Sequence, residues 1–154
     1  MRDFTRIKRE IQHLVSQFGA ERVFWPRDLS WVMIKNWSLP DGMNRKASNV
    51  IVLIPDHYGN GATLRDAFID PDLKALEPST GQYLEIPHYY IKYPYASLSL
   101  GTGEEWQAKN WRYICLHEKS GDSNLLSYLI HLYKFLSDPF RNWSQTFASY
   151  RRGS

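Results

Sequence analysis

Cys115 and His117 stand two positions apart in a chain of 154 residues that contains no other cysteine. If the backbone is extended there, alternate side chains point to the same side, so the thiol and the imidazole would be neighbours. A histidine that titrates near neutral pH can accept a proton from a thiol or from an attacking amine. Because a thiolate is both a good nucleophile and a good leaving group, the pair is a candidate for nucleophilic chemistry at the sulfur.

Each of the two residues also has a simpler interpretation. A single cysteine between Ile114 and Leu116 is, taken alone, typical of a buried core thiol. A histidine in a polar loop is commonly a surface residue without a chemical role. One cysteine excludes an internal disulfide and a cysteine-rich zinc site. No metal site and no cofactor is predicted, since His57 and His88 have no acidic partner at metal-ligand spacing.

The composition is that of a globular chain, with 43% apolar and 15% aromatic residues. This content is enough for the core of one domain, so we expect residues 1–154 to form a single unit. The longest purely apolar run, 50–54, is far shorter than the ~20 residues of a membrane span, and the amino terminus is too charged for a secretory signal. These features predict a cytoplasmic protein with no membrane partner. The net charge of +3 is spread along the chain, so no nucleic-acid site is predicted.

Two segments have the apolar spacing of amphipathic helices. The first covers residues 4–18 and ends at Gly19; its apolar positions are Phe4, Ile7, Ile11, Leu14, Val15 and Phe18. The second covers residues 123–137. Asp122 or Ser123 can cap its first turn, and Pro139 forces Asp138 out of helical geometry.

Strands are predicted between the two helices. Residues 23–29 form a short candidate strand broken by Pro26. The next two candidates, residues 31–37 and 48–54, flank a connector that contains the turn formers Pro40 and Gly42. This arrangement predicts a hairpin. Residues 66–70 are a further short candidate. Residues 71–112 form an insertion of irregular pattern, rich in proline, glycine and tyrosine. The order predicts an α+β fold: an N-terminal helix, a four-stranded antiparallel meander, the cysteine segment, and a C-terminal helix packed on the sheet.

The order of these motifs resembles a known family. RYICLHE (112–118) and NLLSYLIHLYKFLSDPF (124–140) resemble the active-site segment of ubiquitin-conjugating enzymes, in which an Ile-Cys-Leu sequence is followed by a loop, an amphipathic helix and an Asp-Pro stop. Upstream, IPDHYG (54–59) and DAFID (66–70) are similar to the family's Phe-Pro-x-x-Tyr-Pro passage into its fourth strand. The likeness extends over residues 4–140, and LPDGMN (39–44) together with IPDHYG is closest to the bacterial members.

The resemblance implies the UBC fold and a defined activity. Cys115 would carry the carboxyl terminus of a protein as a thioester and transfer it to an amine. The family's His-Pro-Asn triplet is absent, and Asn110 is the nearest upstream amide that could stabilise the oxyanion, with a plain loop or strand-start asparagine as its alternative. By the same analogy, Asp138 could orient an incoming lysine in addition to ending the helix.

The resemblance also implies partners. Small stand-alone bacterial members of this kind act in antiphage defence (CBASS) operons, where the carboxyl terminus of a cGAS-like nucleotidyltransferase is attached to a target. A ubiquitin-like modifier delivered by an activating enzyme is the alternative donor. Two other functions remain open: a catalytically inactive domain of the same fold that binds a protein, and a thiol hydrolase using Cys115 and His117, for which no orienting acid is identified.

Overall fold

The N-terminal helix begins and ends where its sequence predicts. The computed structural model describes residues 2–87, 89–90, 111–117 and 124–140. In it, α1 spans Phe4–Phe18, and the Asp3 side chain caps it by accepting a hydrogen bond from the backbone N–H of Arg6 at 3.1 Å. Gly19 ends the helix with a φ of 98°, a conformation that favours glycine. Ile7, Ile11 and Leu14 of the α1 apolar stripe are buried in the core, whereas Phe4 at its first turn is 40% exposed.

Eight strands are described, and all of their pairings are antiparallel. In chain order they are β1 (Val23–Phe24), β2 (Trp31–Ser38), β3 (Ala47–Leu53), β4 (Asp66–Ile69), β5 (Lys74–Glu77), β6 (Gln82–Glu85), β7 (Tyr89–Tyr90) and β8 (Arg112–Cys115). One sheet has the order β1-β2-β3-β4-β8-β7, and β5 and β6 form a separate hairpin. The α+β class and the meander through β4 are confirmed, whereas the limit of four strands is wrong, because β8 and β7 extend the sheet beyond β4.

The predicted first strand and the predicted insertion also differ from the structure. The strand expected over residues 23–29 is limited to the two residues of β1, and the chain then makes a turn in which the Leu29 N–H donates to the Pro26 carbonyl at 3.1 Å. The segment 71–112, expected to be irregular, contains the β5–β6 hairpin and the edge strand β7 in its described part. Three of the four β6 residues lack β-branched or aromatic side chains and all four are exposed, so the sequence carries little strand signal there.

A bulge in β2 decides which side chains face the helices. The pairing of β2 with β3 shifts between Ile34 and Trp37, and Asn36 in the bulge has a φ of 54°. Because the bulge adds a residue to one strand, Trp37 is returned to the face that carries Val32 and Ile34. Arg22 stabilises the bulge by donating to the carbonyl groups of Lys35 and Asn36.

The second helix, α2, spans Leu125–Ser137 and starts with a capping box. The Asn124 side chain accepts from the Ser127 backbone N–H at 2.8 Å, and the Ser127 hydroxyl accepts from the Asn124 N–H at 2.7 Å. Asn124 is therefore the N-cap, in place of the predicted Asp122 or Ser123, both of which lie outside the described residues. Among the described residues, no helix has the length and apolar character that crossing a membrane requires.

Both helices pack on the same face of the sheet, as predicted. The sheet contributes alternate residues to this core, among them Val50, Val52, Ala67, Ile69 and Ile114. The intervening residues Ile51, Leu53, Phe68 and Tyr113 are also buried, on the face away from α1 and α2. Cys115 packs against this second cluster, so the thiol lies on the face opposite the helices.

Candidate functional site

Cys115 is the last residue of β8, and the sheet fixes its backbone. It lies directly opposite Asp66, the first residue of β4. One residue further, the N–H of Leu116 donates to the carbonyl of Arg65 at 3.0 Å, which extends the pairing past the strand end. The thiol is thus held on a rigid element at the point where the chain leaves the sheet.

The thiol contacts the imidazole of His117. Cys115 Sγ lies 2.8 Å from His117 Nε2, so the extended geometry expected from the spacing brings the two groups together. His117 is exposed and Cys115 is partly exposed, so the pair is open to solvent and is not a sealed core thiol. A proton can pass from sulfur to nitrogen at this distance. Within the described part of the chain, His117 contacts no carboxylate.

A buried acid and a buried phenol lie beside the thiol. The Tyr113 hydroxyl donates to Asp66 Oδ1 at 2.6 Å, and both residues are at most 5% exposed. Tyr113 also packs against the ring of Phe68, with 5.8 Å between the ring centroids. Burial first, and then the hydrogen bonds to Asp66 and to the thiol of Cys115, raise the pKa of Tyr113 far above its ordinary value. The phenol therefore keeps its proton.

A cation lies close to the Asp66 carboxylate. Arg65 Nε lies 3.8 Å from Asp66 Oδ2, and 42% of the Arg65 side chain is exposed against 7% for Asp66. The site thus consists of an exposed base, a partly exposed thiol, a buried phenol, and a buried carboxylate with a half-exposed counter-charge. Sequence reasoning missed Tyr113 and Asp66. They are 47 positions apart, and only the β4–β8 register brings them together.

Of the other predicted site residues, Asp138 is described and is not brought to the thiol. Asn110 lies outside the described residues. Asp138 is the C-cap of α2, where its backbone N–H donates to the Phe135 carbonyl at 3.3 Å, and it lines a cleft with Asp41 and Gly42. These two residues belong to the turn between β2 and β3, at the end of the sheet opposite Cys115. The structure therefore separates Asp138 from the thiol and places it as a helix terminator.

No group of three or more His, Cys, Asp and Glu side chains is gathered for a metal ion in the part of the chain that the structure describes. His57 lies on an exposed loop, with its Nε2 3.9 Å from Asp56 Oδ2. Such an exposed pair supplies too few ligands for a structural or catalytic zinc site.

In comparisons with known proteins, no family model, no curated protein and no solved structure matches the chain. The geometry and chemistry of the site itself are therefore the basis for a functional proposal.

Proposed function

We propose that this chain is a ubiquitin-conjugating-like acyltransferase, which accepts a protein carboxyl terminus as a thioester on Cys115 and passes it to an amine. The observation that carries this proposal is the contact of a partly exposed thiol with an exposed imidazole, 2.8 Å from Sγ to Nε2. A base at this distance from the nucleophile is one of the arrangements that activate a cysteine for acyl transfer.

In the loading step, His117 Nε2 takes the proton of the Cys115 thiol. The sulfur then attacks the carbonyl carbon of an activated carboxyl terminus and forms a tetrahedral adduct. Collapse of the adduct breaks the bond to the donor's leaving group, which departs with the electron pair and takes up a proton. The product is a thioester between the donor's last residue and Cys115.

In the transfer step, an amine of the acceptor attacks the thioester carbonyl. His117 is placed to take the proton that the amine loses as the carbon–nitrogen bond forms. The carbon–sulfur bond breaks, and the sulfur regains a proton. One amide is formed and the enzyme returns to its starting state, with no cofactor consumed.

The resemblance to bacterial conjugating enzymes suggests the donors to test first. These are a cGAS-like nucleotidyltransferase with a free carboxyl terminus and a ubiquitin-like modifier delivered by an activating enzyme. We place the activity in the cytoplasm, in antiphage defence.

A thiol hydrolase is the second candidate, because the same Cys115–His117 contact would serve attack on a peptide or ester bond followed by release to water. Hydrolases of this type commonly orient the histidine with a third group. Among the described residues, no carboxylate contacts His117, so the hydrolase function has no identified orienting group. A catalytically inactive binding domain would need neither the exposure of the thiol nor its contact with the base.

The test is to incubate the chain with each donor, the activating enzyme and ATP, and to separate the products on a non-reducing gel. We expect a higher-mass adduct that thiols dissolve, a thiol-resistant ester with Cys115→Ser, and no adduct with Cys115→Ala. Cleavage of the donor without any accumulating amide would assign the hydrolase function instead. Full defence activity of Cys115→Ala in cells would contradict both enzymatic functions and favour the binding domain.

A further inference from the structure

A groove of about 220 Å³ lies between the end of α1 and the exposed side of α2, on the face of the sheet opposite Cys115. We infer that this groove binds an acidic amphipathic helix of a partner protein, which inserts apolar side chains between α1 and α2. Since the groove and the thiol lie on opposite faces, a partner bound there leaves Cys115 accessible. The inference does not depend on the function proposed above.

The groove is lined mostly by apolar and aromatic side chains, and the core holds part of this lining in place. Trp37 and Leu129 are buried, and Trp37 reaches the groove because the bulge in β2 turns it to the helix face. The Trp37 ring meets the edge of Tyr133, with 6.2 Å between the centroids. The other apolar lining residues are Phe18, Leu126 and Ile130. The concave surface is therefore formed before any partner arrives.

Two large apolar side chains of the lining remain exposed on α2. Ile130 is 49% exposed and Tyr133 is 42% exposed, and their spacing of three residues puts them on the same side of the helix. Exposed apolar side chains beside a concave apolar surface are typical of an interaction site. A groove between two helices suits a third helix, whose apolar side chains at i, i+3, i+4 and i+7 enter it.

The charges of α1 and α2 favour an acidic partner. Their exposed side chains include Lys8, Arg9 and Lys134. The one carboxylate within the two helix ranges, that of Glu10, is buried and hydrogen-bonded. Lys134 lies one helical turn from Ile130, so its positive charge is close to the groove. The surface around the groove therefore attracts negative charge.

The turn after α1 does not reverse this balance. It carries the exposed carboxylate of Glu21, followed by Arg22, whose guanidinium carbon lies 5.9 Å from the centroid of the Phe18 ring in the lining. These two charges are opposite, so the positive surplus of the helices remains. A second copy of the chain would bring two such basic surfaces together, whereas an acidic helix is complementary to one of them.

The experiment uses the full chain and a synthetic helix-forming peptide with leucine at i, i+3, i+4 and i+7 and glutamate on the rest of its surface. Fluorescence anisotropy of the labelled peptide gives the dissociation constant. We expect saturable binding that weakens as salt is added. A matched peptide with lysine in place of glutamate should bind at least about tenfold more weakly. Equal binding of the two peptides, or no binding of the acidic one, overturns the inference.

Two variants locate the bound peptide. Ile130→Glu places a negative charge at the groove and should weaken binding of the acidic peptide by about tenfold or more. Lys134→Glu should weaken it by about threefold or more and improve binding of the lysine peptide. Both positions are exposed, so each variant should melt like the parent. Leu84→Glu, at an exposed leucine on β6, is the matched control and should leave the dissociation constant unchanged. Parent-like binding by Ile130→Glu, or an equal loss with Leu84→Glu, contradicts the inference.

The position of the thiol provides a further check. A helix bound in the groove lies on the other face of the sheet, so saturating acidic peptide should leave the rate of Cys115 alkylation by iodoacetamide unchanged. Slower alkylation would place the peptide at the thiol and overturn the inference. A concentration-dependent dimer that binds no peptide in sedimentation velocity would assign the groove to a second copy, and a monomer that binds no peptide would exclude an acidic helix as the occupant. None of these measurements uses an acyl donor, so this inference and the proposed transferase can fail separately.

Discussion

The carboxylate of Glu10 in α1 accepts a hydrogen bond from the backbone N–H of Leu125, the first residue of α2, at 2.8 Å. The same oxygen accepts from the Tyr58 hydroxyl at 2.7 Å, and the other oxygen accepts from Arg6 Nε at 2.7 Å. Glu10 is only 6% exposed. A carboxylate at a helix N-terminus is favourable, and here it joins α1 to the start of the helix that follows the cysteine segment.

Replacing Glu10 by alanine should therefore lower the free energy of unfolding by about 2–4 kcal/mol, since it leaves the Leu125 N–H and the Tyr58 hydroxyl buried without this acceptor. Urea denaturation followed by circular dichroism measures the change. Glu21→Ala, at an exposed glutamate just after α1, is the control and should change stability by no more than about 0.5 kcal/mol. If Glu10→Ala lowered the free energy of unfolding no more than Glu21→Ala does, the Glu10 contacts would contribute nothing measurable to stability.

Stability should fall in alkaline solution partly because of Tyr89. Its hydroxyl donates to the Asp70 carbonyl at 2.6 Å and accepts from the Leu73 N–H at 3.2 Å, and burial raises the pKa of Tyr89 from its ordinary 10.0 to about 12. Between these two values the unfolded chain releases the proton while the folded chain keeps it, so rising pH favours unfolding.

The measurement is the melting temperature of the parent and of Tyr89→Phe between pH 10 and pH 12. These two pH values correspond to the ordinary and the raised pKa of Tyr89. We expect a shallower decline in the variant, although its stability at neutral pH is lower because two hydrogen bonds are lost. Tyr133→Phe, at an exposed position on α2, should decline like the parent. Parallel curves for the parent and Tyr89→Phe would exclude Tyr89 as a source of the alkaline loss.

The helices and the central strands could be predicted from the sequence because each carries its own periodic signal. α1 shows helical spacing along its whole length, and β2 and β3 are rich in β-branched and aromatic residues around a turn. The short strands β7 and β8 have two and four residues, too few for a period to appear. They become strands by pairing with each other and with β4, a long-range effect that propensity does not report.

The candidate site also has one part that the sequence predicts and another part that depends on the fold. Cys115 and His117 are neighbours in sequence, so an extended backbone was enough to predict that their side chains meet. Asp66 was predicted only as part of a strand and Tyr113 only as part of a family motif, because their contact depends on register. The resemblance implies a site role for Asp138, whereas α2 ends with this residue at the other end of the sheet.

Replacing His117 by alanine should slow both alkylation of Cys115 and loading of the acyl group, by roughly tenfold to a hundredfold for loading, because the base in contact with the sulfur is lost. The side chain is exposed, so the melting temperature should stay within about one degree of the parent. Single-turnover loading followed by intact mass gives the rate. His131→Ala, an exposed histidine on α2, is the matched control. A parent-like loading rate in His117→Ala would remove His117 from the mechanism.

The most direct measurement is acylation of the native chain by a synthetic peptide α-thioester, which bypasses any activating enzyme, followed by addition of lysine. We predict that intact mass rises by one acyl group in the parent and not in Cys115→Ala, that hydroxylamine removes the group, and that lysine is converted to the peptide amide faster than water hydrolyses the thioester. Acylation of the denatured chain only, or acylation followed by hydrolysis with no amide, would contradict the proposal that Cys115 carries an acyl group between a donor and an amine.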